Sequence, residues 1–113
     1  MHEYSIVQAL LDLCEDEAKK AGAVKVNTIR IKVGKLSGVE PELLKAAYDV
    51  FNEESFCRGA KLDMQLQNVV ITCRDCGKES ELETLTFVCP HCHSESFEVK
   101  DGEELMLMSL EME

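Results

Sequence analysis

Apolar residues fall at Val7, Leu10, Leu11, Cys14, Ala18 and Ala21, offsets of 0, 3, 4, 7, 11 and 14. That spacing marks one face of a helix over residues 4–21, which Gly22 is placed to stop. From Thr28 to Val33 the period changes to two. Ile29, Ile31 and Val33 share one face and Thr28, Arg30 and Lys32 the other, the pattern of a half-buried strand. After a Gly34–Gly38 connection, Pro41 suits the first position of a second helix, where its missing N–H is not needed. That helix groups Leu44, Ala47, Tyr48 and Phe51 and should end before Gly59. Leu62, Met64 and Leu66 alternate and run into Val69-Val70-Ile71, predicting one strand that leads directly to Cys73. Short polar pieces follow to about Lys100, then an Asp101-Gly102 turn signal. Leu105 to Met112 is apolar on both faces apart from Ser109 and Glu111, which predicts a central strand.

The order is therefore helix, strand, helix, strand, polar module, strand. The fold class expected is α+β, with two helices on a small three-stranded sheet. The economical topology inserts the module as a second lobe between two strands of the first. Residues 1–70, completed by strand 103–113, form one lobe, and residues 71–102 form the other. An insert of roughly 28 residues is too small to fold on apolar burial alone and needs a staple.

The staple is legible in the cysteines. Cys73-Arg74-Asp75-Cys76 and Cys89-Pro90-His91-Cys92 are two Cys-x-x-Cys pairs separated by the 12 residues 77–88. Each pair can curl so that both sulfurs face one ion, and four thiolates closing a tetrahedron suit Zn²⁺ at about 2.3 Å. Gly77 lets the chain turn under the metal, and Pro90 stiffens the second turn. A redox dithiol fits less well, because a thioredoxin-like site needs one pair opening a helix in a βαβ setting. An iron–sulfur cluster is the remaining alternative. His91 and His93 bracket Cys92. They are either exposed polar residues or imidazoles that hydrogen-bond a zinc-bound sulfur or exchange with it. Cys14 reads as a small core residue and Cys57 as semi-buried.

Charge narrows the partners. Lys plus Arg number 12 against 22 for Asp plus Glu, a net −10, which argues against the phosphate backbone of nucleic acid as main partner. Between Cys73 and Lys100 three basic residues face six acidic ones, and a Zn(Cys)₄ centre adds further negative charge. The ribbon is thus expected to meet protein. The longest apolar run, Leu105–Met108, is too short for a membrane span. The opening Met1-His2-Glu3-Tyr4 lacks the basic and apolar regions of a signal peptide, so a cytoplasmic location is expected.

The N-terminus carries the second candidate site. Met removal is disfavoured before His, which leaves the Met1 amine beside the His2 amide and imidazole. With the Glu3 amide or another donor these nitrogens can surround an ion in a plane, a geometry suited to Ni²⁺ or Cu²⁺.

Met1-His2-Glu3-Tyr4-Ser5, the amphipathic helix, Val33-Gly34, Cys73-x-x-Cys76, Cys89-x-x-Cys92-His93 and the ending Ser109-Leu110-Glu111-Met112 together resemble the HypA family of nickel-incorporation proteins. The likeness spans the chain. It implies Ni²⁺ bound through His2 with the Met1 amine and Glu3 backbone, and structural Zn²⁺ on Cys73, Cys76, Cys89 and Cys92. It also implies two lobes and delivery of nickel for maturation of [NiFe] hydrogenase, and in some organisms urease. The partners implied are the nickel-handling GTPase of that pathway and the hydrogenase large subunit. Some family members carry a His just after the first cysteine pair. Here Gly77, Lys78 and Glu79 stand there, so only His91 and His93 can serve the zinc site. The residues show no nucleophile–base pairing and no phosphate loop, so a non-enzyme is expected. The alternative is a zinc-ribbon adaptor that mediates protein contacts and ignores nickel.

Overall fold

The amphipathic stripe builds α1 (His2–Lys20), which begins two residues earlier than the periodicity indicated. Glu3 in its first turn and Lys19 and Lys20 in its last both complement the helix dipole. Gly22 ends it at φ +71°, with the Gly22 N–H bonded to Lys19 O and the Ala23 N–H to Ala18 O, the paired bonds of a Schellman cap. The chain is described by a computed structural model over residues 2–84 and 86–113. The remaining elements are β1 (Val26–Gly34), α2 (Pro41–Asn52), β2 (Lys61–Gln67), β3 (Val69–Cys73), β4 (Glu79–Leu82), β5 (Phe97–Asp101) and β6 (Leu105–Met112). Pro41 opens α2 as expected.

Two three-stranded sheets result, ordered β2-β1-β6 and β4-β3-β5. In the first, β2 runs parallel to β1 with α2 in the crossover, and β6 returns antiparallel. Ile29, Ile31 and Val33 of β1 and Leu62 of β2 bury against Val7, Leu10 and Cys14 of α1 and Leu44 and Tyr48 of α2. The class is α+β, with a cysteine-bearing ribbon inserted before the last strand.

Three expectations fail here. The stretch from Leu62 to Cys73 is not one strand: it breaks at Asn68, where the chain leaves the first sheet and enters the second. Nor is β6 central. It lies at an edge, and β1 takes the centre. The charged face of β1 tolerates that position because its neighbours neutralise it: Arg30 Nη2 lies 2.8 Å from Glu111 Oε1 and Arg30 Nε 3.6 Å from Asp63 Oδ2. Cys57 also differs from expectation, being fully buried. Asn52 brings this about: its side-chain amide donates to Cys57 O at 2.6 Å and to Tyr48 Oη at 3.0 Å, while Oδ1 accepts from Gly59 N at 3.0 Å.

The second sheet has a small core of Val69, Ile71 and Leu82, with Leu36, Phe97 and Val99 packed on it. Leu36 reaches it from the connection after β1. Its N–H donates to Gly102 O at 2.8 Å, and Lys32 Nζ lies 2.9 Å from Asp101 Oδ2. No described helix is long and apolar enough to cross a membrane.

Candidate metal centre

Cys73 closes β3, and the chain reverses immediately after it. Gly77 N donates to Cys73 O at 3.0 Å and Cys73 N to Lys78 O at 3.0 Å, leading into β4. The second pair repeats this turn: His93 N donates to Cys89 O at 2.8 Å and Cys89 N to Ser94 O at 2.9 Å. Gly77 sits at φ +74° and His93 at φ +62°. His93 therefore fills the left-handed position that glycine fills in the first turn, a conformation an L side chain adopts at a cost. The two turns are tied together by Ser94 Oγ on the Asp75 carboxylate and by Arg74 N on Ser96 O at 3.0 Å.

The four sulfurs of Cys73, Cys76, Cys89 and Cys92 all lie within 4.8 Å of one another. Cys73 and Cys92 approach to 3.5 Å and Cys76 and Cys89 to 3.7 Å. A disulfide would bring two sulfurs to about 2.05 Å. A tetrahedron with Zn–S bonds of about 2.3 Å has S···S edges of about 3.8 Å. The two closest approaches lie near such an edge and far from a disulfide, so this donor set can hold a metal such as Zn²⁺. Among the described residues it is the one convergent group of three or more Cys, His, Asp or Glu ligands.

Backbone amides ready the site. Cys76 N points at Cys73 Sγ at 3.4 Å and His91 N at Cys89 Sγ at 3.4 Å. The Cys76 amide, more than any other group, draws the Cys73 thiol down to about 6. Cys89 is also lowered: burial opposes its thiolate, but the amides of Cys92 and His91 and the neighbouring sulfurs outweigh that. The two remaining sulfurs move the other way. An amide from Lys78 favours the Cys76 thiolate, yet burial and the adjacent Cys73 and Cys89 sulfurs raise it. Ser94 N helps Cys92 in the same manner, but the surrounding sulfurs push it up to about 12. Each close S···S contact thus joins one sulfur whose pKa is lowered to one whose pKa is raised. Cys73 and Cys89 are buried and Cys76 and Cys92 exposed, so one side of the tetrahedron faces solvent.

His91 and His93 are both exposed. What they bring to the centre here is their backbone N–H groups; among the described residues neither imidazole makes a hydrogen bond. The other candidate site begins α1. His2 is the first helical residue and Glu3, half-buried, the next. Met1 and the His2 side chain lie outside what is described. Two residues along, the Tyr4 ring meets Phe51 edge-on at 5.3 Å, fastening the start of α1 to the end of α2. Sequence reasoning missed this pair, the left-handed role of His93 and the Asn52 clamp. A polar residue ending an apolar helix face was the only hint of the last.

Three comparisons bear on this arrangement. The family model described as "Hydrogenase/urease nickel incorporation, metallochaperone, hypA" matches residues 1–112. The chain belongs to the HypA family. It is 52% identical over 113 residues to the hydrogenase maturation factor HypA of Shewanella sp. strain MR-7, covering 100% of this chain and 96% of the relative. The corresponding factor of Aquifex aeolicus strain VF5 is 45% identical over 113 residues, at 100% and 98% coverage. The solution structure of the Ni metallochaperone HypA from Helicobacter pylori superposes with a TM-score of 0.73 at 38% identity, covering 97% of this chain and 96% of that one. The fold is thereby shared with a solved HypA structure over nearly the whole chain.

Proposed function

We propose that this chain binds Ni²⁺ at its N-terminus and delivers it for maturation of [NiFe] hydrogenase, while Cys73, Cys76, Cys89 and Cys92 hold a structural Zn²⁺. The observation that carries this reading is the family match that starts at residue 1 and so takes in the Met1-His2-Glu3 terminus. Urease, which the family description names beside hydrogenase, is the second recipient of the same cargo. The immediate partners are the nickel-handling GTPase of the pathway and the hydrogenase large subunit, met in the cytoplasm. The chain acts as a carrier and not as an enzyme. The nickel lobe, expected over residues 1–70 with 103–113, ends at the switch of sheets at Asn68, and the zinc lobe runs from there to about residue 102.

The chemistry of the two ends supports a division between labile and permanent metal. The amides of His2 and Glu3 belong to the first turn of α1, whose N–H groups have no intrahelical acceptor. Committing them to a metal breaks no helical hydrogen bond, and nitrogens at a chain terminus leave the ion open to a partner. The four sulfurs form a closed set with little core beneath them, so zinc supplies the folding free energy the ribbon lacks. A net charge of −10 attracts cations and basic partner surfaces.

The test is metal analysis of tag-free protein titrated separately with Ni²⁺ and Zn²⁺. Tightly held zinc plus a weaker nickel site that disappears in His2→Ala is the expected result. Zinc alone, with no nickel uptake, would leave the adaptor reading in its place.

A further inference from the structure

β6 is an edge strand with the composition of a central one. Its eight residues carry a single charge, Glu111, and Met106, Met108 and Met112 are 43%, 53% and 37% exposed. Edge strands are ordinarily blunted by charge, proline or a covering element, because their free N–H and C=O groups template further pairing. The opposite edge follows that rule, with Lys61, Asp63, Gln65 and Gln67 along β2.

The free edge of β6 also borders a trough. Two adjoining grooves of about 490 and 580 Å³ run between α1 and β6 and share Leu13 and Leu107. Leu13, 44% exposed, overhangs from the helix, and Leu105, Leu107 and Leu110 line the strand side. A strand laid along β6 would pair with its backbone and tuck alternate side chains beneath α1. A bulge at Met108, where Ser109 pairs with Arg30 but Leu107 with Ile31, divides the edge into two short runs. Methionine side chains adapt to different apolar partners, as such a surface requires.

Charge selects the occupant. Glu17, Glu103 and Glu104 line the trough, and among the described residues no Lys or Arg does. From Asp101 to Glu113 there are five carboxylates and no basic side chain. A second copy pairing antiparallel would therefore set Glu103 and Glu104 against Glu111 and Glu113, a like-charge arrangement that opposes it. We propose that the β6 edge and the trough beneath α1 form a docking site for an extended segment of another protein with alternating apolar and basic residues, which adds as a fourth strand to the β2-β1-β6 sheet.

The probe is an acetylated, amidated octapeptide of alternating lysine and valine, titrated into the full chain without nickel. Failure here therefore leaves the delivery reading untouched. Saturable binding is expected, together with slowed hydrogen exchange at β6 amides. A block isomer with four lysines followed by four valines has the same charge and should bind about tenfold more weakly, because it cannot alternate across the strand. Leu13→Lys should weaken binding by a similar factor, about tenfold, by placing positive charge in the trough. Met108→Lys provides the same test at an exposed strand position if the helix variant folds poorly. Absence of saturable binding, equal affinity for the block isomer, or unchanged exchange at β6 would each overturn the proposal. So would a protein-concentration-dependent dimer that protects the same β6 amides, which would assign the edge to a second copy.

Discussion

Gly34 and Gly102 meet backbone to backbone where the two sheets join, and a Cβ at Gly34 would overlap the Gly102 carbonyl. Gly102 itself sits at φ +97°, with Asn68 O and the Val69 Cα both 2.9 Å from where its own Cβ would stand. The chain passes this point on leaving β1, on crossing from β2 to β3 and on returning from β5 to β6. Such close approach explains why a glycine must follow Val33.

Gly34→Ala should therefore cost about 1–3 kcal/mol of stability through overpacking against backbone that cannot give way. Thermal unfolding followed by circular dichroism checks this. A wild-type melting curve would show that the junction relaxes freely.

The ion pair of Lys32 and Asp101 joins the same two sheets. The hydrogen bond from Lys32, and then the Gly102 N–H, hold the Asp101 carboxyl below the usual carboxylate range. The folded state thus binds this proton less readily than the unfolded chain. The stabilisation is complete above the ordinary carboxylate range and is lost as pH falls through the lowered value. Asp101→Asn should lower stability at neutral pH and flatten the acid limb of a stability–pH profile. An unchanged limb would remove Asp101 from the acid response.

Cys73→Ser should abolish retained zinc and melt the second sheet while the helices persist. The β4-β3-β5 sheet buries few apolar side chains, whereas α1 and α2 share the larger core. Metal analysis and amide spectra report the two effects separately. Intact metal retention in Cys73→Ser would rule out four-sulfur ligation.

Asn52→Ala should destabilise by about 1–3 kcal/mol, since it removes the buried amide that bonds Tyr48 Oη, Cys57 O and Gly59 N and leaves Cys57 O with only the Ala60 N–H. Faster alkylation of Cys57 should accompany it. That thiol is inaccessible in the parent, and the clamp holds its loop inward.

A Gly-Ser extension before Met1 should weaken Ni²⁺ binding by about tenfold or more with His2 intact, because it replaces the terminal amine with an amide. The absorption of a square-planar d⁸ ion should fade with it. Equal affinity and unchanged spectra would show that the amine is not a ligand, whatever His2 does.

Local chemistry made much of the protein legible from its residues. Helical spacing from Val7 to Ala21, alternation from Thr28 to Val33 and Pro41 at a helix start each act within a few residues, so α1, β1 and α2 could be read directly. The two Cys-x-x-Cys turns are equally local, and they bring their four sulfurs within 4.8 Å of one another. Strand order is different, because it depends on residues far apart in the chain. β6 looked central by composition, yet the Arg30 pairs with Asp63 and Glu111 let β1 take the centre and left β6 at the edge. The switch of sheets at Asn68 and the contact of Gly34 with Gly102 were likewise decided only in three dimensions. Each joins chain segments whose proximity no periodicity encodes, and long-range packing settles them where local propensity is indifferent.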